Sequence, residues 1–86
     1  MNKVFTDLAW EDYLYWEKAD KRIFRRINQL IRDIDRNGNA GLGKPEPLQH
    51  ELQGFWSRRI DSEHRLVYTI RDNEICIVQC CYYYEK

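Results

Sequence analysis

The feature that most constrains the fold is a change in hydrophobic periodicity near the middle of the chain. Between Asp20 and Asn37, apolar side chains recur every three or four residues, which places them on one face of an α-helix. From Phe55 onward, β-branched and aromatic residues dominate short runs separated by polar turns, as is typical of strands. A chain with both patterns is expected to fold as an α+β domain. The helical stripe consists of Ile23, Phe24, Ile27, Leu30, Ile31 and Ile34.

Capping residues set the limits of two helices in tandem. Thr6 is a good N-cap for a first helix, in which apolar residues again recur at helical spacing. Asp20 can cap the second helix, and the segment 37–39, Asn-Gly-Asn, stops it with residues that tolerate a left-handed backbone. The two helices are therefore expected to form a hairpin joined near Asp20.

Three strands are predicted in the second half of the chain, over residues 55–60, 65–71 and 75–84. The short turns between them favour an antiparallel meander, and residues 4–5 are a candidate edge strand. The helical hairpin should pack on one face of this small antiparallel sheet to bury its apolar stripe. The other face would then be free for a ligand.

The length of 86 residues allows one domain, spanning residues 1–86. No apolar run is long enough to cross a membrane or to serve as a signal peptide, so we expect a cytoplasmic protein without membrane contact. Three cysteines clustered near the end of the chain argue against a disulfide framework. With two histidines they also lack paired ligand spacing, and neither a metal nor another cofactor is predicted.

The charge is balanced overall but unevenly distributed. The formal net charge is zero, which argues against binding of nucleic acid by bulk electrostatics. Residues 21–71, however, carry eleven lysines and arginines against six acids, a net charge of +5, between acidic ends. The zero sum therefore hides a basic middle section of the chain.

The most unusual loop places Glu46 between Pro45 and Pro47. Each proline restricts its own backbone and that of the preceding residue, so the carboxylate has little conformational entropy left to lose. This is what a positioned general base requires. The alternative is a rigid linker with a solvated acid.

A pair of arginines forms a second candidate site. Arg59 and Arg65 flank the turn between two predicted strands, so that they can converge across the pair. Two guanidinium groups near a fixed carboxylate form a plausible phosphate site. The alternative is that both are surface arginines bridged to Asp61 and Glu63.

The aromatic end of the chain, residues 82–84, is a third candidate. Exposed tyrosines can stack on bases or donate a phenolic proton. The alternative is that a phenol packs in the core, and we expect this of Tyr82.

Four blocks of sequence resemble the Txe/YoeB toxins of the RelE/ParE superfamily, which belong to bacterial type II toxin–antitoxin systems. They are WEDYLYW at 10–16, GLGKPEPL at 41–48, GFWSRRI at 54–60 and EHRLVY at 63–68. The resemblance runs over essentially the whole chain. It implies a RelE-like, microbial-ribonuclease-like fold and a metal-independent endoribonuclease that cleaves mRNA in the ribosomal A site. It also implies a YefM-like antitoxin, repression of the operon by binding operator DNA only as the toxin–antitoxin complex, and a homodimer.

The resemblance also implies roles for individual residues. Glu46 would take the proton of the ribose 2′-OH, and Arg65 would stabilise charge on the phosphorus, with Arg59 as a supporting phosphate contact. Tyr84 matches an active-site tyrosine of the family. The loop residues Lys44, Gln49 and His50 are expected to contact the substrate.

Two departures from the family pattern bear on activity. Tyr83 stands where the family commonly has a histidine, the general acid for the leaving 5′-oxygen, and Gln49 stands where it commonly has a lysine. The chain also continues for two residues past Tyr84. These departures leave one alternative open, a catalytically weakened homologue that acts as an antitoxin-binding corepressor or a non-cleaving ribosome binder.

Overall fold

The computed structural model describes residues 1–82, which form two helices and a five-stranded sheet. A single turn of 3₁₀ helix at His50–Leu52 lies between the second and third strands. No helix within residues 1–82 is long and apolar enough to cross a membrane. The elements in chain order are β1 (Asn2–Phe5), α1 (Asp7–Ala19), α2 (Lys21–Asn37), β2 (Glu46–Pro47), β3 (Trp56–Arg59), β4 (Arg65–Arg71) and β5 (Glu74–Gln79).

The predicted helical hairpin and its caps are confirmed. The hydroxyl oxygen of Thr6 accepts a hydrogen bond from the backbone N–H of Ala9 at 3.2 Å. The carboxylate of Asp20 accepts from the backbone N–H groups of Arg22 and Ile23, at 3.0 and 3.3 Å. α2 ends at Asn37, and the following Gly38 has a φ of 64°, a positive value that glycine adopts without a Cβ clash.

The predicted meander forms the centre of the sheet. The strand order is β1-β5-β4-β3-β2, and β3, β4 and β5 pair antiparallel. Asp72 and Asn73 connect β4 to β5 with φ values of 52° and 60°. A two-residue turn with positive φ matches the twist of the strands that it joins.

Two details of the sheet differ from the prediction. β1 pairs parallel with β5, so the sheet is mixed rather than purely antiparallel; a four-residue strand carries no signal of its direction. The last strand ends at Gln79 rather than at residue 84. The backbone N–H of Cys80 donates to the carboxylate of Asp12 at 3.1 Å instead of extending the ladder.

The core lies between the helices and one face of the sheet. The α2 stripe packs against side chains from β4 and β5 that alternate toward it. The opposite face is less open than predicted, because Thr69 in β4 donates its hydroxyl hydrogen to the carbonyl oxygen of Gly54 at 2.9 Å. The segment 48–54 therefore covers part of it. The buried core consists of Ala9, Trp16, Ile27, Leu30, Ile31, Ile34, Ile60, Leu66, Tyr68, Ile75, Ile77 and Cys80.

Candidate active site

Glu46 lies on a two-residue strand at the edge of the sheet. It pairs with Ser57 of β3, which pairs with Val67 of β4, so the three residues form one row across the sheet. Paired residues point to the same face, and Leu66 and Tyr68 lie in the core, so this row faces away from the helices. The Glu46 side chain is exposed above the buried Ser57 and Val67. The loop of the sequence prediction is thus anchored to the sheet at the residue that carries the carboxylate.

Arg59 and Arg65 lie directly opposite each other on β3 and β4, as predicted. They belong to the row next to that of Glu46, about 7 Å further along the strands. Like charges that face each other across a sheet repel, so this pair is a favourable place for an anion. Arg59 is exposed and Arg65 is half-buried.

Backbone carbonyl groups fix the guanidinium of Arg65. Its Nη1 donates to the carbonyl oxygens of Asp61 and His64, at 2.9 and 3.0 Å. The predicted alternative placed the carboxylates of Asp61 and Glu63 against the arginines. The Glu63 carboxylate instead lies 3.6 Å from Nε2 of His64. The Asp61 carboxylate accepts from the backbone N–H groups of Glu63 and His64, at 2.8 and 2.7 Å, and so shapes the turn.

The end of the described chain is tied down beside Arg65. The backbone N–H of Arg65 donates to the carbonyl oxygen of Tyr82 at 3.1 Å. The backbone N–H of Tyr82 donates to Nδ1 of the buried His64 at 2.7 Å. From α1, the indole N–H of Trp16 donates to the carbonyl oxygen of Cys80 at 2.8 Å. These contacts place residues 80–82 next to Arg65.

The predicted tyrosines have different outcomes. Tyr82 is 63% exposed, so the expectation that it packs in the core is wrong. The cause is the anchoring of the preceding backbone, which turns Tyr82 outward with a φ of 61°. Tyr83 and Tyr84 lie outside the described residues, and their proposed roles stay predictions.

The other predicted substrate contacts, Lys44, Gln49 and His50, are exposed on either side of Glu46 in the sequence. Lys44 has a φ of 51° and His50 a φ of 58°, and Gln49 caps the 3₁₀ turn without a side-chain hydrogen bond. Their side chains are free to reach a substrate. Within residues 1–82, no three histidine, cysteine or acidic side chains are grouped as metal ligands would be.

Arg58 is the residue that sequence reasoning missed. Its side chain is completely buried on the core face, whereas that of the neighbouring Arg59 is exposed on the other. Its Nη1 forms an ion pair with Asp33 of α2 at 2.5 Å, and its Nε donates to the hydroxyl oxygen of Tyr68 at 3.2 Å. The hydrogen bond from Arg58 holds the pKa of the Asp33 carboxyl below its usual value, and burial raises the pKa of Tyr68.

The guanidinium of Arg58 also binds the backbone of the loop that leads to Glu46. It donates to three carbonyl oxygens, those of Gly38 at 2.6 Å, Ala40 at 2.8 Å and Leu42 at 2.9 Å. All five N–H groups of an arginine are thus used. The loop is also joined to β3, since the backbone N–H of Arg59 donates to the carbonyl oxygen of Gly43 at 2.7 Å. Side chains alternate between the two faces of a strand, so Arg58 and Arg59 must point to opposite faces of β3. This alternation was the one signal in the sequence that Arg58 could be buried and hold the loop.

Gly43 lies where the loop that leads to Glu46 packs closely against β3. It has a φ of 80°, and a Cβ there would lie 3.1 Å from the carbonyl oxygen of Arg59 and 3.2 Å from Cβ of Arg58. A larger residue would push the loop away from β3 just before Glu46. The Glu46 carboxylate, the Arg59–Arg65 pair and the buried Arg58 are therefore parts of one structural unit.

Comparisons with known proteins identify relatives over nearly the whole chain. Residues 5–84 match the profile of the YoeB-like toxins of bacterial type II toxin–antitoxin systems. The YoeB toxin of Escherichia coli strain K12 is 52% identical over 84 residues, which cover 98% of this chain and all of the relative.

Solved structures of similar proteins share the fold. The YoeB/ParE toxin from Agrobacterium tumefaciens superposes with a TM-score of 0.95 at 44% identity, covering 98% of this chain and all of that one. A YoeB dimer and a YoeB–YefM complex from Staphylococcus aureus each superpose with a TM-score of 0.92. Their identities are 50% and 49%, and each comparison covers 98% of both chains.

Proposed function

This chain belongs to the YoeB-like toxins of bacterial type II toxin–antitoxin systems, and we propose that it acts as an endoribonuclease that cleaves mRNA on translating ribosomes. The observation that carries the proposal is the placement of Glu46. An exposed carboxylate stands on an edge strand, one row from two opposed arginines, on the sheet face that the helices leave uncovered. A base beside a phosphate-binding pair is the arrangement that cleavage by a ribose hydroxyl needs.

In this proposal Glu46 accepts the proton of the ribose 2′-OH. The freed oxygen attacks the adjacent phosphorus in line with the bond to the 5′-oxygen of the next nucleotide. Charge builds up on the phosphoryl oxygens in the transition state, where Arg65 and Arg59 stabilise it with guanidinium hydrogen bonds. The products are a 2′,3′-cyclic phosphate and a 5′-hydroxyl. The arginines supply the positive charge, so the proposal does not require a metal.

The leaving 5′-oxygen needs a proton, and Tyr83 is the proposed donor, with Tyr84 as a second active-site phenol. An unperturbed phenol titrates near ~10 and an imidazole near ~6.5, so a tyrosine is a weaker acid at neutral pH. Proton donation by Tyr83 would then be slower than by the histidine that the family commonly has. Lys44, Gln49 and His50 would contact the RNA on either side of the cleaved bond.

The proposed partners are a YefM-like antitoxin, the ribosome with its A-site mRNA, and a second copy of the chain. Solved relatives include a YoeB–YefM complex and a YoeB dimer. We propose that an acidic antitoxin segment covers Glu46 and Arg65 and so blocks the site, and that operator DNA is bound only by the toxin–antitoxin complex. The proposed place of action is the cytoplasm, where ribosomes translate.

A second candidate is supported by the two departures in sequence. Tyr83 and Gln49 replace the histidine and the lysine that the family commonly has at these positions. A toxin weakened at both positions would act mainly as an antitoxin-binding corepressor, or would occupy the ribosome without cutting.

Cleavage of a defined mRNA on purified bacterial ribosomes, mapped by primer extension, separates these candidates. The wild-type chain should create new 5′ ends that Glu46→Ala abolishes. Glu51→Ala is the matched control, because Glu51 is another exposed acid five residues further along the same segment and should leave cleavage unchanged. Full cleavage by Glu46→Ala would refute the assigned base. Absence of cleavage by a wild-type chain that still binds antitoxin would favour the corepressor.

A further inference from the structure

The outer face of α2 carries a row of arginines that the proposed chemistry does not use. Arg22, Arg25, Arg32 and Arg36 follow one another at intervals of three, seven and four residues. At about 100° per residue, this spacing places them on one stripe, opposite the buried stripe that includes Ile27. All four are exposed, and the row is about 21 Å long at a rise of 1.5 Å per residue.

No neighbouring acid neutralises this row. Within residues 1–82, none of the four guanidinium groups forms an ion pair. The two acids of α2 are already engaged, Asp33 with Arg58 and Asp35 with both Lys3 and the N-terminal ammonium group. Toward the start of the helix, Asp20 and Asp61 lie beside Arg22 and offset part of its charge.

Helix stability does not account for the row. Like charges three or four residues apart repel, and two such pairs occur here, Arg22 with Arg25 and Arg32 with Arg36. Arginine also suits phosphate better than lysine does, because its planar guanidinium can donate two parallel hydrogen bonds. The arrangement fits an external polyanion.

The groove along the first part of this face is lined mainly by cationic and amide side chains, which can donate hydrogen bonds to phosphate groups. It is an open groove of about 660 Å³, and arginines line it together with Asn28 and Gln29. Phe24 is the apolar side chain in its wall. An acidic peptide that folds on binding must bury apolar surface, and α1 offers more of that, with Leu8 65% and Tyr15 58% exposed.

The row lies on the opposite side of the molecule from Glu46. α2 covers the core face of the sheet, the row points away from that core, and Glu46 is on the other face. The extents of the protein are 30 × 28 × 24 Å. Arg22 is the arginine of the row nearest to the Arg59–Arg65 pair, since it lies beside Asp61, whereas Arg36 is 14 residues, about 21 Å, further along α2. A polyanion that contacts the whole row must therefore extend well beyond a short RNA segment held at Arg59 and Arg65.

We propose that the outer face of α2 docks on the phosphate backbone of ribosomal RNA, while the sheet face acts on mRNA. This inference rests on the proposed ribosome-dependent function and assigns its docking surface. It also explains how a chain of zero net charge can bind a ribosome, since one face concentrates the positive charge.

Cosedimentation with purified bacterial ribosomes over a range of salt concentrations tests the docking surface. All chains carry Glu46→Gln so that cleavage does not interfere. The double variant Arg25→Gln/Arg32→Gln is compared with Lys18→Gln/Arg71→Gln, which removes the same charge from exposed positions elsewhere. We expect roughly 3- to 30-fold weaker binding for the α2 variant. Its slope of log K against log salt should be less steep by about one unit per lost phosphate contact. The control should keep the parent slope.

Equal losses in the two double variants would overturn the docking surface, because net charge alone would then set the affinity. Unchanged ribosome binding with weakened binding of the antitoxin or of operator DNA would overturn it as well. Cleavage assays on the variants with Glu46 restored keep the two proposals separate. A wild-type chain that binds ribosomes through α2 but cuts no mRNA would refute the nuclease alone. An α2 variant that cuts with unchanged KM would refute the docking surface alone.

Discussion

Replacing Arg58 by lysine tests whether the buried guanidinium holds the Glu46 loop in place. Lysine keeps the charge opposite Asp33 but offers three donors instead of five, so at least two of the observed hydrogen bonds are lost. At about 1–1.5 kcal/mol for each bond, the free energy of unfolding should fall by about 2–3 kcal/mol. For a domain of this size that loss corresponds to a decrease in Tm of roughly 10–20 °C.

The neighbouring residue supplies the matched control. Arg59 is exposed on the opposite face, and Arg59→Lys should change stability by less than about 0.5 kcal/mol while weakening cleavage. Chemical denaturation of both variants at neutral pH gives the two midpoints, and unchanged m-values establish that only stability differs. Equal midpoints for the two variants would refute the reasoning. The hydrogen bonds of the buried Arg58 would then contribute no more to the free energy of unfolding than the exposed Arg59 does.

Three further predictions concern the chain end and the titrating carboxyl groups. Tyr83→His should cleave mRNA faster near neutral pH in the ribosome assay; equal rates would exclude proton donation by Tyr83 as the slow step. The pKa of Asp33 is lowered by Arg58, so its contribution to stability is present above about pH 4 and is lost as the pH falls through the folded-state pKa. Asp33→Asn should therefore flatten the acid side of a plot of unfolding free energy against pH, and an unchanged slope would contradict this. Burial raises the pKa of Asp12, so the ionised form costs stability at neutral pH. Denaturation should show Asp12→Asn gaining stability relative to the wild type as the pH rises from about 3 to about 7, and a relative loss would refute the sign.

The helices and the arginine pair were predictable because each depends on local sequence. The α2 stripe, the caps Thr6 and Asp20, and the facing of Arg59 and Arg65 follow from periodicity, side-chain hydrogen bonding and turn length, and the structure confirms them.

Features that depend on distant partners were not predictable in the same way. Arg58 is buried because Asp33, 25 residues earlier, and three loop carbonyl groups meet it in the fold. The early end of β5 has a similar cause, since Asp12 is 68 residues from the N–H of Cys80 that it binds. A pattern with a period of two or 3.6 residues contains no information on such pairs. The exposure of Tyr82 was mispredicted for the same reason.

The most direct test of the central claim is the chemistry of the cut itself. The test uses ribosomes programmed with an mRNA that carries a single 2′-deoxynucleotide at the mapped cleavage position. This substitution removes only the 2′-OH, the proposed nucleophile. The account predicts that the unmodified mRNA yields a 2′,3′-cyclic phosphate and a 5′-hydroxyl, and that the deoxy-substituted mRNA is not cut at that position. Cleavage of the substituted bond, or a 5′-phosphate on the product of the unmodified one, would contradict attack by the 2′-oxygen and with it the role of Glu46.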